Sequence, residues 1–175
     1  MNIHFQELLP QDFADDSKVW IYQSNRQFTL HETLQIQELI EEFTSHWKSH
    51  SLDVKGYGNL FFGQFIILMA DESATGVSGC STDSSVRLIK NIEQDYHVNL
   101  FDRQTLAFLV KERIQLVPLN ELPLAIENNM VTPDTLYFNN TVLDKQQLLT
   151  GWIIPVKDSW LATKFSSLFN NIYSS

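Results

Sequence analysis

The sequence predicts an α+β fold: an antiparallel sheet with helices on one face, in the split βαβ, ferredoxin-like order, followed by a C-terminal α/β extension. Three observations carry that expectation. Val19–Ser24 (VWIYQS) is a run of β-branched and aromatic residues typical of a strand. Two later stretches place apolar residues at helical spacing, Ile36, Leu39, Ile40, Phe43 and Trp47 in one and Val86, Ile89, Ile92 and Tyr96 in the other. Between them the most apolar run, Leu60–Ala70, is broken by Gly63 and Gln64 and is far shorter than the roughly 20 residues of a spanning helix, so it reads as a buried strand pair or one long strand.

Taken in order, residues 1–17 are acidic and turn-like and are expected to be a partly ordered lead-in. After the first strand, Asn25-Arg26-Gln27 forms a turn. Thr29 and Glu32 then stand at capping-box spacing at the head of the first helix, whose solvated side carries Glu38, Glu41, Glu42 and Lys48. Gly56-Tyr57-Gly58 is expected to be a flexible or tightly turned link into the strand pair. A second helix is expected over Asp83–Tyr96, with Asp83 or Ser81 as its cap. Thr105–Val110 and Arg113–Val117 read as strands, the second stopped by Pro118. Further on come a short helix over Asn120–Asn128, a strand over Thr135–Phe138 and a helix over Asp144–Thr150 terminated by a left-handed Gly151. Trp152–Val156 reads as extended, and a last helix carries Trp160, Leu161, Phe165, Leu168 and Ile172, capped by Asp158 or Ser159.

The 175 residues are 43% hydrophobic and include 12 Phe and 4 Trp, enough for one core, so residues 18–175 are expected to form one domain. Within it, 18–117 would be the split βαβ core and 118–175 the extension. A net charge of -9 without any Lys/Arg run disfavours nucleic acid and anionic membrane surfaces as partners. A single cysteine forms no internal disulfide, and MNIHFQELLPQDFADD lacks the basic start and apolar stretch of a secretory signal, which points to the cytoplasm.

Strands preceding the two helices, if parallel in the middle of the sheet, would bring both helix amino termini to one edge. That edge would gather Ser24, Asn25 and Arg26, then His31 and Glu32, then Asp71, Glu72, Cys80, Ser81 and Asp83. Arg26 there has two readings, a guanidinium clamp for a carboxylate or phosphate ligand, or an ion pair with Asp71 or Asp83 that ties two loops together. Cys80 also has two: a small buried residue launching a helix, or a thiolate nucleophile with His31 as its base. His97 is a helix length from Cys80 and is excluded as that base. His46 and His50 are an i, i+4 pair without a third partner, and no metal site is expected. Trp152 and Trp160 could line a pocket, but core roles suit them better.

Six segments, VWIYQSNRQFT, FIILMADES, SGCSTDSSV, NLFDR, LYFNN and VKDSW, occur in an order that resembles a family of short, uncharacterised bacterial proteins sometimes labelled "ABC transporter ATPase". The likeness runs from about Lys18 to Lys164. It implies membership without naming an activity, a cofactor or a ligand. The chain shows no G-x-x-x-x-G-K-[ST] loop, which disfavours a nucleotide hydrolase. The expected function is therefore non-enzymatic binding of a small ligand or a protein partner, and the alternative is a thiol-dependent enzyme or redox sensor using Cys80.

Overall fold

The computed structural model describes residues 3–49, 52–73 and 79–173, the side chains of 79–81 and 173 excepted. The fold is α+β with antiparallel sheets. Its strands and helices in chain order are β1 (Lys18–Gln23), α1 (Leu30–Ser45), β2 (Lys48–Ser49), β3 (Leu52–Asp53), β4 (Lys55–Phe61), β5 (Phe65–Asp71), α2 (Gly79–Tyr96), β6 (Thr105–Val110), β7 (Arg113–Pro118), α3 (Leu122–Glu127), β8 (Leu136–Phe138), α4 (Lys145–Gly151), β9 (Ile153–Pro155), α5 (Trp160–Lys164) and α6 (Ser166–Tyr173). They fall into two compact units, one of residues 4–102 with 140–149, the other of 1–3, 103–139 and 150–175.

The first unit is built on the sheet β1-β5-β4. β5 pairs antiparallel with both neighbours, from Lys18↔Ala70 to Gln23↔Phe65 on one side and from Lys55↔Asp71 to Phe61↔Phe65 on the other. β1 and β4 therefore run parallel, joined by α1, with β5 inserted between them. β5 (FIILMAD) is buried at every position, as an unbroken apolar run in a central strand should be. Both helices lie on one face: Ile36 and Ile40 of α1 and Ile89 and Ile92 of α2 share a core with Tyr22, Leu60, Ile66 and Leu68. α1 is capped as its sequence predicts, Thr29 Oγ1 accepting from the Glu32 N–H at 3.3 Å and the Glu32 carboxylate accepting from the Thr29 N–H at 2.7 Å.

Within the expected partly ordered lead-in of residues 1–17, residues 5–13 pack on the other side of the sheet. Phe5 packs edge-on against Phe61, Phe13 does the same against Tyr57, and the Tyr57 hydroxyl donates to the Leu8 carbonyl. Phe5, Leu9 and Phe13 are buried, so apolar residues inside an acidic stretch decided its fate. Residues 140–149 close the other edge: the Val19 N–H donates to the Leu143 carbonyl, the Lys145 N–H to Ser17 and the Gln146 N–H to Asp15. The Lys145 ammonium, buried, donates to the Phe13 carbonyl at 2.6 Å.

Three expectations about this unit need correction. The ferredoxin-like order is not completed, because β6 and β7 belong to the other sheet, so the boundary expected at 117/118 falls at 102/103. Gly56-Tyr57-Gly58 is no link but the interior of β4. A Cβ on Gly56 would stand 2.7 Å from the Trp47 ring, and one on Gly58 would stand 2.5 Å from Ile40 Cγ2 and 2.8 Å from Leu68 Cδ2. Glycine is there because α1 lies against the strand, not because the strand ends. The second helix starts at Gly79, so Asp83 lies inside it and does not cap it.

In the second unit the sheet order is β7-β6-β8-β9, antiparallel throughout. Leu106, Phe108, Tyr137 and Val156 pack with Leu122, Ile126, Leu161 and Phe169 of the helices. Ser159 caps α5, its hydroxyl accepting from the Leu161 N–H. The expected last helix is broken at Phe165 into α5 and α6. Trp152 is fully buried against Phe138, whereas Trp160 is partly exposed with its indole N–H on the Tyr137 hydroxyl. Gly151 has no positive φ and sits in α4 as an ordinary helical residue.

Gly58→Ala should destabilise the protein by about 1–3 kcal/mol through overpacking, read as a lower denaturant midpoint at unchanged slope. An unchanged midpoint would show that α1 does not press on β4 there.

Candidate functional site

The shared edge expected for the two helix starts does not form. β1 and β5 are antiparallel, so the Arg26 turn follows the Gln23/Phe65 end of the sheet while Asp71 stands at the Lys18/Ala70 end. Six residue steps along β5 separate those ends, about 20 Å at roughly 3.4 Å per residue. The physical reason lies in the hairpin. β5 is the second strand of a tight hairpin with β4, and inserting it between two parallel strands reverses it relative to β1.

α2 then returns along the helical face, and its end rather than its start reaches the Arg26 turn. The Arg26 guanidinium donates to the Tyr96 carbonyl at 2.8 Å, Phe28 packs edge-on against the Tyr96 ring, and the Tyr96 hydroxyl donates to Gln35. The start of α2 is a helix length away, about 25 Å at roughly 1.5 Å per residue. His31, in the first turn of α1, is thus not near enough to serve as a base for Cys80. The side chains of Cys80 and Ser81 lie outside the described residues. Asp83 is described and exposed, about 20 Å along the helix from Tyr96.

Arg26 is an internal tie. Its guanidinium grips Glu32 with two parallel hydrogen bonds of 2.9 and 2.8 Å, donates to the Gln27 carbonyl, and lies over the Phe28 ring. Its carboxylate partner is Glu32, not Asp71 or Asp83. The Arg26 guanidinium, with the Thr29 N–H, lowers the Glu32 carboxyl from 4.5 to about 2. Ser24 is fully buried, its hydroxyl accepting from the Arg26 N–H. Asn25 and Asn99 bond each other twice, through the Asn25 N–H to the Asn99 carbonyl and the Asn99 N–H to Asn25 Oδ1. One buried atom in this region, Gln64 Oε1, has no hydrogen-bond partner among the described residues, although Gln64 Nε2 donates to the Ser24 carbonyl.

Asp71 belongs to a second tie at the opposite end. It is 2% exposed and accepts from the Ser73 N–H at 3.0 Å, from Lys55 Nζ at 3.1 Å and from the Ala14 N–H at 3.3 Å. Hydrogen bonding from Ser73, reinforced by Lys55, holds its carboxyl well below the usual carboxylate range. Lys55 also pairs with Asp12 at 3.1 Å and lies over the Phe13 ring, so this cluster pins residues 12–14 to the sheet. Glu72 pairs with Lys18 at 2.8 Å.

One surface with uncommitted hydrogen-bonding groups among the described residues is the outer edge of β4, which the sequence does not by itself single out. The Leu60 N–H donates to Asn59 Oδ1 of its own strand at 2.8 Å, and the Gln64 N–H donates to the Phe61 carbonyl. Phe61 and its alternates Tyr57 and Asn59 therefore face β5, while Gly56, Gly58 and Leu60 direct their N–H and C=O groups outward. Beside that edge runs a groove of about 270 Å³, floored by Gly56–Asn59 and walled by Gln37, Glu41 and Thr44 of α1. The signal was present: two glycines two residues apart, continued by Leu60 in the same alternation, fit a strand period rather than a turn. In the second unit an apolar hollow of about 270 Å³ lies between Leu116 and Val117 of β7 and Leu124 of α3.

Among the described residues no group of three or more His, Cys, Asp or Glu is placed to hold a metal ion, and no helix is long and apolar enough to cross a membrane. Comparison with protein-family models, curated proteins and solved structures finds no match to this chain.

Because Glu32 titrates at about 2 when folded and near 4.5 ordinarily, its contribution is present above pH 4.5 and is lost as pH falls through 2. Urea titrations at about pH 6 and about pH 3 should show the wild type losing more stability than Glu32→Gln, other carboxylates being common to both. Equal losses would mean that the Arg26 grip does not hold in solution.

Proposed function

We propose that the protein is a non-enzymatic binding module and that it receives an extended segment of a protein partner along β4. One observation carries this reading: Gly56 and Gly58 turn backbone N–H and C=O groups out of the sheet beside a groove, with no hydrogen-bond partner among the described residues. An open edge of this kind is a template for one more strand. Natural edges are commonly blunted by Pro, a bulge or an outward charge, and Gly56–Leu60 has none of these; only the Leu60 N–H is capped, by Asn59. The opposite edge of the sheet is already occupied at Lys18 and Val19 by residues 143 and 144.

The candidates first suggested by the sequence support this choice by their own commitments. Arg26 and Asp71, read as ligand groups, are each bonded within the fold, so neither offers a ligand its full bonding capacity. Under the same proposal the chain belongs with the short bacterial proteins that its segments resemble.

Display of random ten-residue peptides against the full chain, followed by amide hydrogen exchange, tests the site. The Gly56 and Gly58 amides should exchange fast in the free protein and slow at least about tenfold with a selected peptide bound, while Tyr57 and Asn59 stay protected throughout. Selected ligands that leave both glycine amides fast and protect another surface would overturn the assignment to β4.

A further inference from the structure

We infer that the segment received at β4 carries lysine or arginine at alternate positions, an inference that rests on the edge reading above and names the chemistry of its partner. A strand added to β4 lies about 4.8 Å outside it, and its alternate side chains project toward the α1 side of the sheet. On that side the space over Gly56 and Gly58 is already filled by Trp47 and Ile40, so the added residues lie in the groove beside the edge and meet Gln37, Glu41 and Thr44 there. α1 carries Glu32, Glu38, Glu41 and Glu42 and not one Lys or Arg. Glu32 is taken up by Arg26, whereas Glu41 and Glu38 are exposed, and Glu41 makes no ion pair among the described residues.

The lysines beside this strand do not cancel the field, Lys48 pairing with Asp53 at 3.7 Å. Lys55 begins β4 but faces the other side of the sheet, where Asp71 and Asp12 hold it. A visiting strand therefore encounters acidic charge beside a row of open backbone groups. The backbone groups accept any extended chain, and the glutamate is what discriminates. A second copy of this chain is the poorer occupant. Two-fold pairing of one β4 with another would bring two acidic helices together, in a protein whose net charge is already -9.

The test uses the full chain and two ten-residue probes, one alternating lysine with threonine, the other alternating glutamate with threonine. The lysine peptide should bind at least about tenfold more tightly than the glutamate peptide, and Glu41→Lys should erase or reverse that preference, since like charges across a strand repel. N-methylation of alternate amides in the lysine peptide should abolish binding while leaving its charge intact, because pairing needs those N–H groups.

Equal binding of both probes, still abolished by N-methylation, would overturn the basic-segment inference and leave the edge reading standing. Lysine-peptide binding that survives both N-methylation and Glu41→Lys would overturn the two together, since adhesion to acidic surface elsewhere would explain it. A circular dichroism spectrum of Glu41→Lys matching the wild type establishes that a lost preference is not unfolding, because Glu41 is exposed and lacks a structural partner.

Discussion

The antiparallel register of β5 against both β1 and β4 is the constraint on which the first unit depends. β5 is buried from Phe65 to Asp71, so each of its polar backbone groups must find a partner in the sheet and each of its side chains a packed neighbour. Shifting that register by one residue would exchange the faces, setting Ile66 and Leu68 away from the helices. Everything at the rim inherits its place from this pairing. The Arg26–Glu32–Tyr96 tie forms at the hairpin end and the Asp71–Lys55–Asp12 tie at the other, each fastening a segment that the sheet alone would leave loose.

That arrangement explains why charged residues that look like a site in the sequence are not gathered into one. A buried carboxylate such as Asp71 is tolerable only with partners, and its partners come from the chain itself. Arg26 is half exposed yet fully occupied on both terminal nitrogens. The open stretch of β4 is built from residues with almost no side-chain chemistry, two glycines whose backbone is bare because Trp47 and Ile40 need the space above them. Close packing over Gly56 and Gly58 and open backbone groups at their edge thus have a single cause, although Asn59, held by Gln37, covers the Leu60 end of that edge.

What was legible in the sequence was local. The Thr29/Glu32 spacing predicts a capping box because all its atoms lie within one turn, and it is present. The helical stripes of Ile36 and Ile40 and of Ile89 and Ile92 mark the faces that are buried. Direction was implied by the split βαβ order and misread: the strand before α2 is the inserted one, so in an antiparallel sheet it opposes β1 and the two helices start at opposite ends. The role of Gly56 and Gly58 was not legible, since its explanation is a tryptophan and an isoleucine from another element. The partner of Arg26 lay six residues away in the cap itself, hidden because Glu32 already had a sufficient local task. Cys80, where the sequence invited most chemistry, has its side chain outside the described residues, and the separation of α1's start from that of α2 removes the base proposed for it.

Residues 140–149 complete the first unit although more than thirty residues of the second precede them in the chain. They cover the edge of β1 and supply the lysine that caps the Phe13 carbonyl. Synthesis runs from the amino terminus, so on the ribosome β1 emerges long before the segment that shields it. The nascent first unit must wait, one flank uncovered, until residues 140–149 have been made.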